Sequence, residues 1–119
     1  MTQIPNSKQY DLEERTLNFA RRVNKYVNKL PKTIPNIENG KQLTRAVGSV
    51  GANYIEANES FSKKDFRFRV KISKKEVKES CYWLRLSEPH KREEDEKLAL
   101  VQEATELGKI FGSILEKSK

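Results

Sequence analysis

Eight basic side chains lie between Lys63 and Lys78 against two acids, Asp65 and Glu76, a net of +6 over 16 residues. Lys64, Arg67, Lys71, Lys74, Lys75 and Lys78 recur at steps of three and four, so on a helix they form one continuous ridge rather than a ring. Such a ridge suits phosphate contacts: each contact releases counterions, so binding falls steeply with salt and shows little sequence preference. Arg21, Arg22, Lys25, Lys29 and Lys32 form a second basic run upstream. The same charges fit two other readings. A solvated lysine-rich face is what charge runs usually are, and a membrane surface would also want an exposed apolar stripe beside them. Nucleic acid is preferred because the acids are segregated: residues 63–92 carry 11 basic and 4 acidic side chains, residues 93–119 carry 4 and 7, and the whole chain is +7. Tyr82 and Trp83 are of types that stack on bases, although packing or a subunit interface is their commoner use.

Other chemistry finds little support. Glu56 and Glu59 on a helical bundle invite a di-iron carboxylate reading, but that site needs Glu-x-x-His on two helices, and the single histidine, His90, falls in an expected turn. The single cysteine, Cys81, excludes an internal disulfide and sits at an apolar helical position, where it reads as a small core residue. No glycine-rich phosphate loop, nucleophile elbow or Ser/His/Asp set is visible. The expectation is a non-enzymatic protein with no cofactor and no metal.

The elements that position the ridge follow from periodicity. Residues 1–10 read as a flexible arm, and residues 11–119 as one domain. Asp11-Leu12-Glu13-Glu14 reads as a capping box opening a first helix from about Leu12 to Leu30, with Pro31 ending it. Residues 31–40, with two prolines and a glycine, read as a connector. The second helix is expected near Lys41, or a turn earlier at Asn36, with Leu43, Ala46, Val47, Val50, Tyr54 and Ala57 inward and Phe61 closing the stripe. Its small residues Gly48, Ser49, Gly51 and Ala52 predict close approach by another helix. Asn53, Glu56 and Glu59 recur beside that stripe, either as a solvated flank or as a polar cluster with Arg45 as a cationic partner.

Ser62 then caps a third helix, about Lys63 to Leu86. One stripe runs through Phe66, Val70, Ser73, Val77, Cys81 and Leu84, and a second through Phe68, Ile72, Glu79, Trp83 and Leu86. A fourth helix starts near Glu93, its first-turn acids matching the positive end of the helix dipole. It carries a row at Leu98, Val101, Thr105, Gly108, Phe111 and Leu115, with Leu100, Ala104, Leu107 and Ile114 alongside. Four helices with short connections predict an all-α, up-and-down antiparallel bundle. No apolar run reaches the length of a membrane span and the start, Met-Thr-Gln-Ile-Pro, lacks a signal pattern, so the expectation is a soluble, cytoplasmic protein.

Three blocks carry a family resemblance: Asp11-Leu12-Glu13-Glu14-Arg15-Thr16 with Phe19-Ala20; Gln42 through Ala57; and Lys64-Asp65-Phe66 with Lys75-Glu76-Val77-Lys78-Glu79-Ser80 and Tyr82-Trp83-Leu84. Together they resemble the four-helix bundle proteins of the 23S rRNA intervening-sequence family. The resemblance implies a ring-like homopentamer and kinship with the accessory variability proteins of diversity-generating retroelements, basic pentamers that bind nucleic acid and a reverse transcriptase. It implies polar contacts between helices at Arg45, Asn53, Glu56 and Glu79, and it assigns no catalytic residue. Phe68, Ile72, Trp83 and Leu86 are the residues expected at an oligomer interface. The alternative to nucleic-acid binding is a protein-interaction scaffold or accessory subunit, for example for a reverse transcriptase.

Overall fold

The computed structural model describes residues 3–119, with side chains from residue 11 onward. Four helices, α1 (Gln3–Asn28), α2 (Ile34–Asn58), α3 (Lys63–Leu86) and α4 (Glu94–Lys117), pack into a rod of 48 × 25 × 19 Å, with a short 3-10 turn at Lys91–Glu93 before α4. Side-chain contacts fix the direction of each neighbour. Asn58 donates to Glu13 while Val27 faces Gly40, so α1 and α2 run antiparallel. Ser73 donates to the Val50 carbonyl and Arg69 to Asn53, so α2 and α3 do the same. Arg67 reaches Leu115 while Val77 faces Gly108, which sets α4 against α3, and α1 closes the bundle along α4.

The core is one aliphatic and aromatic column: Phe19, Val23 and Tyr26 from α1, Leu43, Val47 and Val50 from α2, Val70, Val77 and Leu84 from α3, and Leu100, Leu107 and Phe111 from α4. Each set recurs at steps of three, four or seven, which keeps it on one helical face. Several buried hydroxyls are satisfied locally. The single Ser87 hydroxyl proton goes to the Leu84 carbonyl at 2.6 Å, so Tyr26 must donate to Ser87 Oγ, also at 2.6 Å. Burial raises the Tyr26 and Tyr54 hydroxyls above the ordinary tyrosine value.

Several sequence expectations need correction. The first helix begins at Gln3 rather than Leu12, so Asp11 is an interior residue and its capping box starts nothing. Part of the expected arm, residues 1 and 2 and the side chains of 1–10, lies outside the described residues. The second helix begins at Ile34, because the Thr33 side chain accepts the Asn36 amide at 3.2 Å and proline is tolerated in a first turn, where its missing N–H costs nothing. Gly40, read as connector, is a buried helical position where an added Cβ would sit 3.3 Å from Val27. Asn36 ties this corner to the far connection, donating to the Pro31 and Glu88 carbonyls and accepting from the Glu88 amide.

Phe61 does not close the α2 stripe; α2 ends at Asn58 and the Phe61 ring is fully exposed in the link to α3. In α4 the inward row is Leu100, Ala104, Leu107 and Phe111, whereas Leu98 and Thr105 face solvent. The third helix matches its expected bounds, with the Ser62 side chain accepting the Asp65 amide at 3.0 Å.

Candidate nucleic-acid interface

The α3 ridge begins with the phase of the core. With Val70, Ser73, Val77, Ser80 and Leu84 turned inward, the helical period turns Lys64, Lys71, Lys75 and Lys78 outward, and all four are exposed. The other expected cations divide by what they touch. Arg67 is half-buried and donates to the Leu115 carbonyl at 2.6 Å and to Ser118 Oγ at 2.8 Å, so it caps the end of α4. Lys63 reaches the Lys119 carbonyl. Lys74 leans toward α4, its Nζ 3.7 Å from where a Gly112 Cβ would be, and with Lys78 and Lys109 it rims a groove floored by Val77, Cys81 and Gly108.

The upstream run is placed differently. Arg22 pairs with Glu96 at 3.1 Å and Lys29 approaches Glu93 at 3.9 Å, so both point along the α1–α4 seam. Arg15, which the sequence reading passed over, anchors that seam. Its guanidinium donates to both Glu103 oxygens at 2.8 and 2.9 Å and to Glu106 at 2.9 Å. The Glu103 hydrogen bond is the main cause of a guanidinium proton held more tightly than usual. Glu106 is held below the ordinary carboxylate value by the Gln102 amide and then by Arg15. Arg21 and Lys25 are exposed and carry no ion pair among the described residues.

Asn53, Arg45 and Glu79 line the α2–α3 seam rather than forming one cluster. Arg69 donates to Asn53 Oδ1 at 3.1 Å, Asn53 returns bonds to Ser49, and Arg45 stands 4.0 Å from Glu79. Glu56 is exposed and its carboxylate makes no hydrogen bond or ion pair among the described residues, so it does not join them. Among the described residues the buried carboxylate is instead Glu76, 7% exposed, whose Oε1 has no hydrogen-bond partner there. Sequence reasoning counted it merely as an acid interrupting the ridge; its step of three from Ser73 and four to Ser80 was the available signal.

Of the residues expected at an oligomer interface, Phe68 and Leu86 are exposed, while Ile72 and Trp83 are half-buried and Trp83 packs on the core. Of the small residues in α2, Gly51 does meet a close neighbour, since an added Cβ would lie 2.9 Å from Thr16 Oγ1. Gly48 has open space in the same test. Among the described residues no three His, Cys, Asp or Glu side chains gather as a metal site, and no helix is long and apolar enough to cross a membrane.

Comparison with known proteins gives the same architecture. A family model described as 23S rRNA-intervening sequence protein matches residues 8–113. Among solved structures, a protein of unknown function from the S23 ribosomal protein family of Bacteroides thetaiotaomicron is similar. It is 28% identical with a TM-score of 0.75, and the match covers 92% of this chain and 98% of that one. No curated protein matches.

Proposed function

The chain belongs to the 23S rRNA-intervening sequence protein family, and from that premise we propose that it is a non-enzymatic, cytoplasmic nucleic-acid-binding protein that holds structured RNA or DNA by its backbone. One observation carries the reading. The exposed lysines Lys71, Lys75 and Lys78 of α3 carry no ion pair among the described residues: Glu79 is drawn toward Arg45, Glu76 is buried, Asp65 stands apart in the first turn, and Glu96, Glu103 and Glu106 of α4 are engaged by α1. Unpaired ammonium groups on a rigid helix keep their counterions until a phosphate displaces them, which is the source of backbone affinity. The family's name associates its members with ribosomal RNA, which supports RNA as the first ligand to try.

The test is fluorescence anisotropy of the full chain against a structured RNA and a duplex DNA, with Lys71→Glu/Lys74→Glu/Lys78→Glu as the comparison variant. Binding by the native chain, lost in the variant with helicity and oligomer size unchanged, is the expected result; binding retained by the variant contradicts the reading.

A second reading, assembly with further copies or with a protein partner such as a reverse transcriptase, draws on the outer face of α2. Ile37 and Ile55 are exposed there, and Gly48 between them is open to an approaching helix. The ring-like homopentamer belongs to this reading and is tested by light scattering. The two readings are compatible, since a ring would repeat the α3 row around its circumference.

A further inference from the structure

The exposed line of α3 is not purely basic. Lys64, Phe68, Lys71, Lys75, Lys78 and Tyr82 follow one another at steps of four, three, four, three and four, so they share one stripe along the helix. Phe68 is 56% exposed and Tyr82 58% exposed, large apolar rings left in water at either end of a lysine run. They stand 14 residues apart, about 21 Å along the axis. Each ring has a neighbour that fixes its surroundings. Tyr82 meets Trp83 edge-on, with centroids 4.9 Å apart at 76°. The Arg69 guanidinium lies over the Phe68 ring, 5.8 Å from its centroid, and Phe68 forms part of a groove of about 420 Å³ with Lys63, Lys64, Arg67 and Lys71. Of those cations, Lys63 and Arg67 are engaged with the end of the chain, leaving Lys64 and Lys71 beside the ring.

Duplexes offer phosphates but keep their base faces stacked inside, so exposed rings gain nothing from them. Single strands offer both, and stacking on aromatic side chains is how proteins hold unpaired bases without reading sequence. We infer that the α3 stripe is a single-strand site: unpaired bases stack on Phe68 and Tyr82 while the intervening phosphates lie on Lys71, Lys75 and Lys78. The inference rests on the nucleic-acid reading above and narrows its ligand to unpaired segments, such as the loops and bulges of a structured RNA.

The experiment uses the full chain, a fluorescein-labelled oligouridylate and a blunt RNA duplex of equal phosphate number. Phe68→Ala and Tyr82→Ala are expected to weaken oligouridylate binding by about 5-fold to 100-fold each. Duplex affinity and the salt slope for oligouridylate should stay as in the native chain, because no cation has been removed. Trp83, the chain's single tryptophan, supplies a second readout beside Tyr82: its emission should change on adding oligouridylate and not on adding duplex. Equal losses for both ligands, or none for oligouridylate, overturn the stacking site while leaving backbone binding intact. Ring substitutions that shift the oligomer mass overturn it in favour of a subunit contact. Failure of the native chain to bind either ligand removes the parent reading as well.

Discussion

The α1–α4 seam and the outer line of α3 are built from the same residue types and end in opposite states. Along the seam three cations of α1 are answered: Arg15 by Glu103 and Glu106, Arg22 by Glu96, Lys29 by Glu93. Along α3, Lys64, Lys71, Lys75 and Lys78 carry no ion pair among the described residues; Glu76 is buried and Glu79 is drawn to α2, which leaves Asp65 in the first turn as the exposed acid. Charge density alone therefore does not mark a binding surface. What distinguishes the two regions is whether the antiparallel partner brings acids into register, and α4 brings them to α1 while presenting Ala104, Gly108 and Gly112 toward α3.

The contrast can be broken by moving charge. Reversing Lys71, Lys75 and Lys78 to Glu should weaken nucleic-acid binding by about 100-fold or more at low salt, whereas Arg22→Glu should change it by less than about threefold and instead lower the melting temperature. Comparable losses from both would erase the distinction. A parallel contrast holds for two glycines of α2. Gly51→Ala, which presses a methyl against Thr16, should destabilise by about 1–3 kcal/mol, seen as an earlier urea midpoint. Gly48→Ala, with nothing to meet, should stabilise by about 0.8–1 kcal/mol through helix propensity alone; a loss there would point to a partner helix resting on that face.

Smaller effects sharpen the picture of the seam. Arg15→Ala removes a paired but partly exposed guanidinium and should cost about 0.5–1 kcal/mol with nucleic-acid affinity unchanged. The pH dependence has a definite sign. Because the Glu106 carboxyl is lowered on folding, its contribution is present at neutral pH and is lost as pH falls below 4.5 and through the folded value. Melting curves of the native chain and Glu106→Gln should therefore differ slightly at neutral pH and converge in acid.

Much of this was legible beforehand and the omissions are physical. The bounds of α3 were readable because Ser62 caps one end and the inward stripe keeps its steps of three and four from Phe66 to Leu84, with the small Ser73 in place of an apolar residue. The start of α2 was not, since Pro35 and Gly40 usually punctuate loops and only the packing of Val27 explains the glycine. In α4 two apolar rows overlapped, and only contact with the other helices selected Leu100, Ala104, Leu107 and Phe111. The exposed ridge followed from helical phase, whereas the neutralisation of Arg22 and Lys29 depends on register with a helix some 70 residues away. Glu56 drew attention as an acid beside small residues, but it faces water; Glu76, one helix later, is the carboxylate that is buried.

The central claim is that the unpaired lysines of α3 are what phosphates meet, and the salt dependence of binding tests it most directly. Anisotropy titrations at a series of salt concentrations, for the native chain and for Lys71→Gln/Lys75→Gln/Lys78→Gln, give the slope of log affinity against log salt for each. The native chain should bind tightly at low salt, and removing three phosphate contacts should make the slope shallower by about 2–3. A slope unchanged by the three substitutions would place the phosphate contacts elsewhere and contradict the account.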